Sequence, residues 1–492
     1  MATVWVNGVA HEVAVGTRIS EVLSRAPHPC GGKGICGKCR IRATGALSPL
    51  SREEERHLTA FEIADDIRLS CCAVVEGDCR VTVEADSVMA VIVDGKPAAV
   101  MTPTFATYGV AVDVGTTTLA ARLYDVAGRL LAQAGDTNPQ IAFGADILSR
   151  IQTAGEGKDL TTPLQTAVNS LICRLAEEAG VHTSAIDGVV ITGNTAMLCF
   201  LTGTDPTPLS HAPFSLPHAF HETVTAAAIG LTSLAPNRGV YLPPCASAFI
   251  GADALCAALA CGMDADDRTT LLADMGTNGE LLLRHKNILY ACSTAAGPAF
   301  EGVGISCGMP AVEGAIDEVA LVNGRLLSHT IGGGTAKGIC GSGLVDTAAC
   351  LLAIAEMDNG GYLDGKVSLC DGVSITQEDI RALQQAKAAV SAGLQTLLHH
   401  ADLAADEVTA LYTAGGFGSR LNGCNAAAIG LLPRELSARI QPVGNAALDG
   451  ASRLLLGVSA REKLTALPDD IHVIELATDP YFTEHFIKNM TF

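Results

Sequence analysis

The first ninety residues alternate between apolar and polar positions in the manner of a small sheet. β-formers cluster at residues 3–6 and 11–15 around the turn Asn7-Gly8, which predicts a hairpin. Helical spacing over residues 19–25 predicts a short helix, and residues 79–83 read as a further strand. The pattern breaks into turn-forming residues after about residue 87, which predicts a domain boundary there.

A strand–turn–strand pattern then occurs twice. Residues 108–125 form an apolar strand, a turn that begins at Asp113, and a second strand, and residues 269–287 repeat this around Asp274. A single D-x-G-T turn is a weak signal, because Asp and Gly commonly mark turns. Two copies in matching context predict two similar halves that face each other. A third apolar strand, residues 411–414, ends in a run of glycines.

The chemistry of these turns suits a nucleotide. Tight glycine turns offer backbone N–H groups and hydroxyls to phosphate oxygens, and an Asp at a strand end holds Mg²⁺ directly or through water. No GxxxxGK[ST] motif occurs, so the chain is not a P-loop protein. We predict Asp113 and Asp274 as catalytic, Mg²⁺-associated acids and Glu280 as a third, with a solvated strand-end acid as the alternative for Glu280. The predicted phosphate- and adenosine-binding residues are Gly115, Thr116, Thr117, Thr118, Gly276, Thr277, Asn278, Gly415, Gly416 and Gly418.

Composition narrows the class of protein. The 492 residues include 52 acidic and 32 basic side chains, and the net charge of −20 argues against nucleic acid or an anionic membrane as the main partner. The mean hydropathy of +0.32 raises the question of a membrane protein. The longest apolar run, residues 254–263, is far shorter than the about 18 residues that a spanning helix needs, and no signal peptide is visible. A cytoplasmic protein is expected.

The cysteines contain a second candidate site. Seventeen is an odd number spread over the whole chain, which suits a reducing compartment better than a disulfide framework. Most lie in apolar stretches, where free cysteine behaves as a small hydrophobe. The exception is a glycine-rich C-x5-C-x2-C run formed by Cys30, Cys36 and Cys39, with Cys71-Cys72 further along.

Three thiolates on one loop and a fourth from a distant segment are typical of a plant-type 2Fe–2S cluster. We predict Cys30, Cys36, Cys39 and Cys71 as its ligands, and Cys72 and then Cys79 are the alternatives for the fourth. The loop is one residue longer than the familiar C-x4-C-x2-C spacing. Zinc or inert thiols are the alternatives, although zinc sites usually pair two C-x2-C knuckles and this segment has one.

These motifs together resemble the ASKHA superfamily of acetate and sugar kinases, Hsp70-type chaperones and actin. Within it, the chain is similar to the iron–sulfur ATPases known as reductive activators of corrinoid proteins. Besides the cluster motif and the D-x-G-T pair, the resemblance rests on residues 138–140, 144–146, 193–195, 296–302, 338–343 and 474–492. It implies an α/β fold, with a β-grasp ferredoxin-like domain followed by a duplicated ribonuclease-H-like ATPase that holds ATP in its cleft.

The domains expected from the resemblance are a 2Fe–2S domain over residues 1–88, a linker over 89–106, and two ATPase lobes over 107–265 and 266–492. Larger members of the family carry a middle domain between the cluster and the ATPase. Because only the linker separates them here, we expect a short variant that lacks the middle domain.

The function implied by the resemblance is ATP-dependent reductive activation. A plant-type cluster near about −400 mV is a poor donor to a couple of still lower potential, such as corrinoid Co(II)/Co(I), and ATP binding or hydrolysis would offset the difference. The expected cofactors are a 2Fe–2S cluster, ATP and Mg²⁺. The expected partners are a corrinoid or other low-potential redox protein as acceptor and an upstream reductant protein, with no nucleic acid and no membrane.

Two other functions stay open at this point. One is a small-molecule kinase with a fused redox sensor, and the other is a plain electron carrier with a vestigial ATP cleft. An exposed cluster with many free thiols predicts an anaerobic cell. The aromatic residues at 481, 482, 486 and 492 favour packing of the last element onto the core, with a homodimer or partner contact as the alternative.

Overall fold

The computed structural model describes residues 1–23, 32, 34, 37, 39–83, 102–144, 146–264, 268–466 and 471–492. The chain divides into two compact units. The first contains Met1–Val88 and Thr137–Ala167, and the second contains Met89–Asp136 and Val168–Phe492. None of the helices in the described ranges has both the length and the hydropathy needed to cross a membrane.

The first unit contains a mixed five-stranded sheet of order β2-β1-β5-β3-β4. Strands β1 and β2 form the predicted hairpin, and Asn7 and Gly8 at its turn both have positive φ. Strand β5 pairs in parallel with β1 and antiparallel with β3. The strands are β1 (Ala2–Val6), β2 (Val9–Val13), β3 (Arg40–Leu47), β4 (Ile67–Leu69) and β5 (Val75–Thr82).

Short helices complete this unit. Helix α1 contributes Ile19 to a core that also contains Val4, Val75 and Val81, all at most 1% exposed. The helices of the unit are α1 (Ile19–Val22), α2 (Arg52–His57), α3 (Ala60–Ala64) and α4 (Ile147–Gly155), with a 3₁₀ turn at Pro139–Ala142 and the beginning of α5 (Thr161–Ala179).

The second unit contains two six-stranded sheets that share one plan over five of their strands. The first has the order β10-β11-β9-β6-β7-β8, and the second has the order β21-β20-β12-β13-β14-β22. In each, a strand that starts an antiparallel hairpin also pairs in parallel with a later strand: β6 with β9, and β12 with β20. The strands are β6 (Tyr108–Val114), β7 (Thr118–Asp125), β8 (Leu130–Thr137), β9 (Ile186–Gly193), β10 (Phe220–Thr225), β11 (Gly239–Pro244), β12 (Thr270–Met275), β13 (Gly279–His285), β14 (Ile288–Thr294), β20 (Ala410–Ala414), β21 (Ile440–Gly444) and β22 (Ile471–Val473).

Smaller elements surround these sheets. A three-stranded sheet and a two-stranded hairpin comprise β15 (Ala315–Val322), β16 (Arg325–Thr330), β17 (Gly338–Ile339), β18 (Val367–Cys370) and β19 (Val373–Ile375). The further helices are α6 (Thr195–Thr202), α7 (Ala252–Ala260), α8 (Gly341–Ala353), α9 (Gln377–His400), α10 (Gly415–Gly418), α11 (Gly423–Ala428), α12 (Ala446–Leu456), α13 (Val458–Ala466) and α14 (Pro480–Lys488).

The two halves of the second unit share a core. Helix α12, from late in the chain, packs against α7 and against strands β6 and β9 of the first sheet. A buried ion pair joins Arg122 on β7 to Asp449 on α12, with 2.6 Å between Nη1 and Oδ1. The duplicated sheets confirm the predicted α/β fold of two similar halves.

Candidate functional site

The two D-x-G-T turns lie at corresponding strand ends of the duplicated sheets. Asp113 is near the end of β6, and the N–H of Gly115 donates to the carbonyl of Thr118 at 2.9 Å to close the turn. Asp274 is near the end of β12, and the N–H of Gly276 donates to the carbonyl of Asn278 at 3.0 Å. The repeat seen in the sequence therefore closes a hairpin in each half, and the second hairpin loop is one residue shorter than the first.

Four half-buried carboxylates cluster at these strand ends: Asp113, Asp253, Asp274 and Glu280. Burial raises the pKa of Asp113 to about 7, opposed by a hydrogen bond from Asn445 and assisted by the charge of Asp274. Burial alone raises the pKa of Asp274 to about 6. The structure thus brings together the three predicted acids from both halves.

Glu280 and Asp253 complete this acidic cluster. Burial, and then the charges of Asp253 and Asp274, raise the pKa of Glu280 well above its usual range. Burial and then the charge of Asp113 raise the pKa of Asp253 to about 7. The pKa values of Asp113, Asp253 and Glu280 are therefore each raised in part by the negative charge of another carboxylate of the cluster.

Asp253 was not among the residues predicted from the sequence. It lies in the first turn of α7, whose start packs closely against the start of α6: a Cβ at Gly251 would lie 2.5 Å from the Cα of Asn194. Because β9 lies beside β6, the helix that follows β9 begins next to Asp113. The position of Asp253 thus depends on long-range strand pairing.

The first D-x-G-T turn, which is predicted to bind phosphate, has a neutral neighbour. The side-chain amide of Asn194 donates to Thr116 Oγ1 at 3.0 Å, and Asn194 also caps α6 by accepting the N–H of Met197. Asn445, the N-cap of α12, donates to Asp113 Oδ2 at 3.0 Å. Both asparagines were missed, although Asn194 lies in the run 193–195 on which the family resemblance rests.

The second turn has an acidic neighbour. Glu301 Oε1 accepts both the backbone N–H and the hydroxyl of Thr277, at 2.9 and 3.0 Å. Glu301 ends the 3₁₀ turn Pro298–Glu301 and was also not among the residues predicted for the site. The run 296–302 contained the signal that could have identified it.

The glycine run lies beside the acidic cluster. Gly415 follows β20, whose Ala414 pairs with Asp274, and a Cβ on Gly415 would lie 2.8 Å from Asp274 Oδ1. The φ of Gly415 is +79°, in the region that favours glycine. Gly416 is exposed, while Gly418 is buried and its carbonyl accepts the hydroxyl of Thr413. This segment forms α10, and Gly415 at its start places backbone without a side chain next to Asp274.

The donor set fits a nucleotide with a divalent cation. Four crowded carboxylates with raised pKa values carry a repulsion that a cation relieves, and two glycine turns present hydroxyl and N–H donors. Among the described residues, no three His, Cys, Asp or Glu side chains are grouped closely enough to bind an ion alone. This suits Mg²⁺, which takes one or two carboxylates and completes its shell with water and phosphate oxygens.

The second candidate site lies in the first unit. Cys39 directly precedes β3, and Cys71 follows β4 in the next turn. Because Arg40 pairs with Leu69, the two cysteines meet, with their Sγ atoms 3.2 Å apart. Both are buried beside Leu69, and the proximity of Cys39 followed by burial raises the pKa of the Cys71 thiol.

Two thiols in an apolar pocket fit part of a thiolate-ligated cluster. Cys72 is half-buried, with its Sγ 3.7 Å from that of Cys71. Cys79, the other alternative, is buried in the separate core of β1 and β5. Cys30 and Cys36 lie outside the described residues.

Charged groups hold the cysteine-bearing strands in place. Glu54 is fully buried, pairs with Arg68 at 2.7 Å, and accepts the N–H of Leu69 two residues before Cys71. Arg40 donates to the carbonyls of Gly37 and His57. These contacts fix both ends of the Cys39–Cys71 pair.

Comparison with known proteins gives matches along most of the chain. A family model described as "C-terminal domain of RACo the ASKHA domain" matches residues 268–492, and one described as "RACo middle region" matches residues 108–266. The corrinoid activation enzyme RamQ of Eubacterium limosum is 34% identical over 421 residues, covering 78% of this chain and 70% of that protein.

Two further matches are also proteins whose names refer to the reduction or activation of corrinoid proteins. The Co(II) methylated amine-specific corrinoid protein reductase of Methanosarcina barkeri is 24% identical over 419 residues, covering 78% of this chain and 77% of that protein. A solved structure of a reductive activator for corrinoid, iron–sulfur protein matches with a TM-score of 0.70 and 27% identity, covering 100% of this chain and 98% of that chain. These matches confirm the ASKHA-type fold.

The expected absence of a middle domain is wrong. The middle region matches residues 108–266, the block that contains the first six-stranded sheet of the second unit. The prediction looked for an additional domain within the linker over 89–106. The middle region instead coincides with the segment that the sequence assigned to the first lobe, and so needs no extra length.

Proposed function

Because the chain belongs to the family of reductive activators of corrinoid proteins, we propose that it uses ATP to drive one-electron reduction of a corrinoid protein from Co(II) to Co(I). The observation that carries this proposal is the acidic cluster. Asp113 and Asp274 from the two D-x-G-T turns meet Asp253 and Glu280 where both sheets end. An arrangement built from both halves can respond to a nucleotide with a change in how the halves close.

Each part of the nucleotide has a candidate group in the chain. Asp113 and Asp274 would hold Mg²⁺ directly or through water, and Thr116, Thr117, Thr277 and Asn278 lie on the turns that would bind phosphate oxygens. Gly415 to Gly418 would lie along the adenosine. Asp253, with its pKa raised to about 7, would accept a proton from an attacking water at neutral pH, and Glu280, with its pKa raised well above the usual range, would lie beside it as a further polar group of the cluster.

The electron-transfer site has its own candidate groups. Cys39 and Cys71 would supply two thiolates, with Cys30 and Cys36 as the other proposed ligands. When bound, a 2Fe–2S cluster supplies one electron at a time at low potential. The apolar pocket formed with Leu58 and Leu69 excludes water on the protein side of the thiols. Every 59 mV by which the acceptor lies below the donor requires about 1.4 kcal/mol from ATP.

The proposal is tested with the reduced, cluster-loaded protein and a corrinoid protein in its Co(II) state under anaerobic conditions. Formation of Co(I), followed by its absorption, is expected with MgATP and not with buffer alone. Asp274→Asn should abolish the ATP effect and leave the cluster spectrum unchanged. Co(I) yields that are equal with and without ATP would support a plain electron carrier. Phosphate transfer to a small molecule without a partner would support a kinase.

A further inference from the structure

Glu301 occupies the second phosphate-binding turn. One oxygen of its carboxylate, Oε1, accepts both donors of Thr277, the backbone N–H at 2.9 Å and the hydroxyl at 3.0 Å. The same oxygen lies 3.3 Å from the position that a Cβ on Gly276 would take. An anionic oxygen therefore sits on the groups that are proposed to bind a phosphate oxygen.

The segment that carries Glu301 also holds Thr277 from its other side. The N–H of Gly297 donates to the carbonyl of Thr277 at 3.0 Å, immediately before the turn Pro298–Glu301. Thr277 therefore bonds both ends of this short segment. A movement of Thr277 would therefore change hydrogen bonds at both Gly297 and Glu301.

The corresponding turn of the first half is different. There, Thr116 Oγ1 accepts a hydrogen bond from the neutral amide of Asn194 at 3.0 Å. A hydroxyl that accepts still has its own proton to donate. Both turns close a hairpin at a D-x-G-T motif but have opposite neighbours: a donor at Thr116 and a charged acceptor at Thr277.

We propose that Glu301 is a displaceable, phosphate-mimicking occupant of the second turn, and that a phosphate of the nucleotide must replace it. This inference rests on the proposed nucleotide function. Each donor of Thr277 has one proton, so it cannot serve Glu301 and a phosphate at full strength together. Two anions at the same donors also repel each other. Nucleotide binding therefore releases Glu301 from Thr277.

The segment that carries Glu301 also contacts the glycine run that is proposed to bind adenosine. Phe300, its neighbour in the chain, stacks on Phe417 of α10 with ring centres 4.3 Å apart and planes within 10°. The turn Pro298–Glu301 also packs against α8 and α9. The segment thus connects occupancy of the phosphate turn to the glycine run and to two buried helices.

The experiment measures MgATP affinity by calorimetry for the full chain and its variants. Glu301→Ala and Glu301→Gln are each expected to lower the Kd for MgATP about tenfold, because the phosphate no longer competes with a carboxylate. Glu356→Ala removes one exposed carboxylate elsewhere in the same unit and should leave the Kd unchanged. In 1 M salt, where the Debye length is about 3 Å, the gain should persist, since it comes from direct contact.

A Kd that is unchanged or raised in both Glu301 variants would overturn the inference, and so would a gain that disappears in 1 M salt. Glu301→Gln keeps the shape of the side chain and gives the test even where Glu301→Ala does not fold. ATP binding by wild type without a gain in the variants refutes only this inference. Binding by no form of the protein refutes the proposed function as well. Binding by the variants alone supports the inference.

Discussion

Asp274 and Glu280 are direct cross-strand partners in the antiparallel pair of β12 and β13, so their side chains lie on the same face of the sheet. Like charges in such a pair repel, and burial together with the charges of Asp253 and Asp274 raises the pKa of Glu280. Protonation of these carboxylates, or a cation bound between them, therefore relieves the repulsion at the strand ends. This determines the sign of the pH dependence of stability.

Without Mg²⁺, the free energy of unfolding of the second unit should fall as pH rises from about 5 to about 7.5. The pKa values of Asp113 and Asp253 are raised to about 7 and that of Asp274 to about 6, so the folded chain keeps protons that the unfolded chain has already lost. Thermal unfolding followed by circular dichroism at stepped pH measures this. Glu280→Gln should flatten the slope, and Glu356→Gln should preserve it. A stability that increases with pH in this window would contradict the reasoning.

Gly415→Ala should weaken nucleotide binding. The φ of +79° costs a side chain about 1–2 kcal/mol, and the new Cβ would lie 2.8 Å from Asp274 Oδ1. Gly365→Ala is the matched control, because Gly365 has a φ of +74° with nothing within 4 Å of its Cβ position. Calorimetry should show a lower affinity for MgATP in Gly415→Ala and an unchanged affinity in Gly365→Ala. Equal affinities for MgATP in the two variants would show that Gly415 does not belong to the nucleotide site.

Local signals identified the hairpins and turns of this fold, because each is formed by residues that are neighbours in sequence. The turns at Asp113 and Asp274 were visible for that reason. Asp253 was missed because its helix is as apolar as any core helix, and the parallel pairing of β11 with β9 and of β9 with β6 brings its first turn towards Asp113. Glu301 was missed for a similar reason, since no local pattern shows that a carboxylate returns to Thr277.

Cys71→Ser should remove the cluster, whereas Cys72→Ser should preserve it. Cys71 is buried with its Sγ 3.2 Å from that of Cys39, while Cys72 is half-buried and its Sγ is 3.7 Å from that of Cys71. Iron and sulfide content after anaerobic reconstitution, together with the visible spectrum, distinguishes the two. Loss of iron in Cys72→Ser alone would make Cys72 the fourth ligand.

Glu54→Ala should unfold or loosen the first unit. The substitution leaves Arg68 without its buried partner and the N–H of Leu69 without its acceptor, and breaking such a pair costs about 3–5 kcal/mol. Trp5 in β1 is the only tryptophan of the chain, so its fluorescence reports unfolding of this unit. Asp65→Ala breaks an exposed ion pair with Arg42 and should leave the stability of this unit almost unchanged. Similar losses of stability in Glu54→Ala and Asp65→Ala would show that the burial of Glu54 does not contribute to the stability of this unit.

Lys387 provides a test at high pH. Its side chain is 1% exposed, its Nζ donates to the carbonyl of Thr491 and lies 4.9 Å from the centre of the Phe492 ring, and burial lowers its pKa to about 8. From pH about 8 to about 10.5, the unfolded chain keeps a proton at this residue that the folded chain has lost.

Stability of wild type should therefore rise across that window relative to Lys387→Met, which has a side chain of similar length without a charge. Buried thiols titrate in the same range, and burial raises their pKa values, so they lower stability with pH in both proteins alike. Subtracting the two unfolding free energies at each pH cancels that common contribution and isolates Lys387. Denaturant titrations at pH 7.5, 9 and 10.5 supply the three differences. A difference that is constant with pH would mean that Lys387 keeps its proton in the folded chain, stabilised by the Thr491 carbonyl and the Phe492 ring.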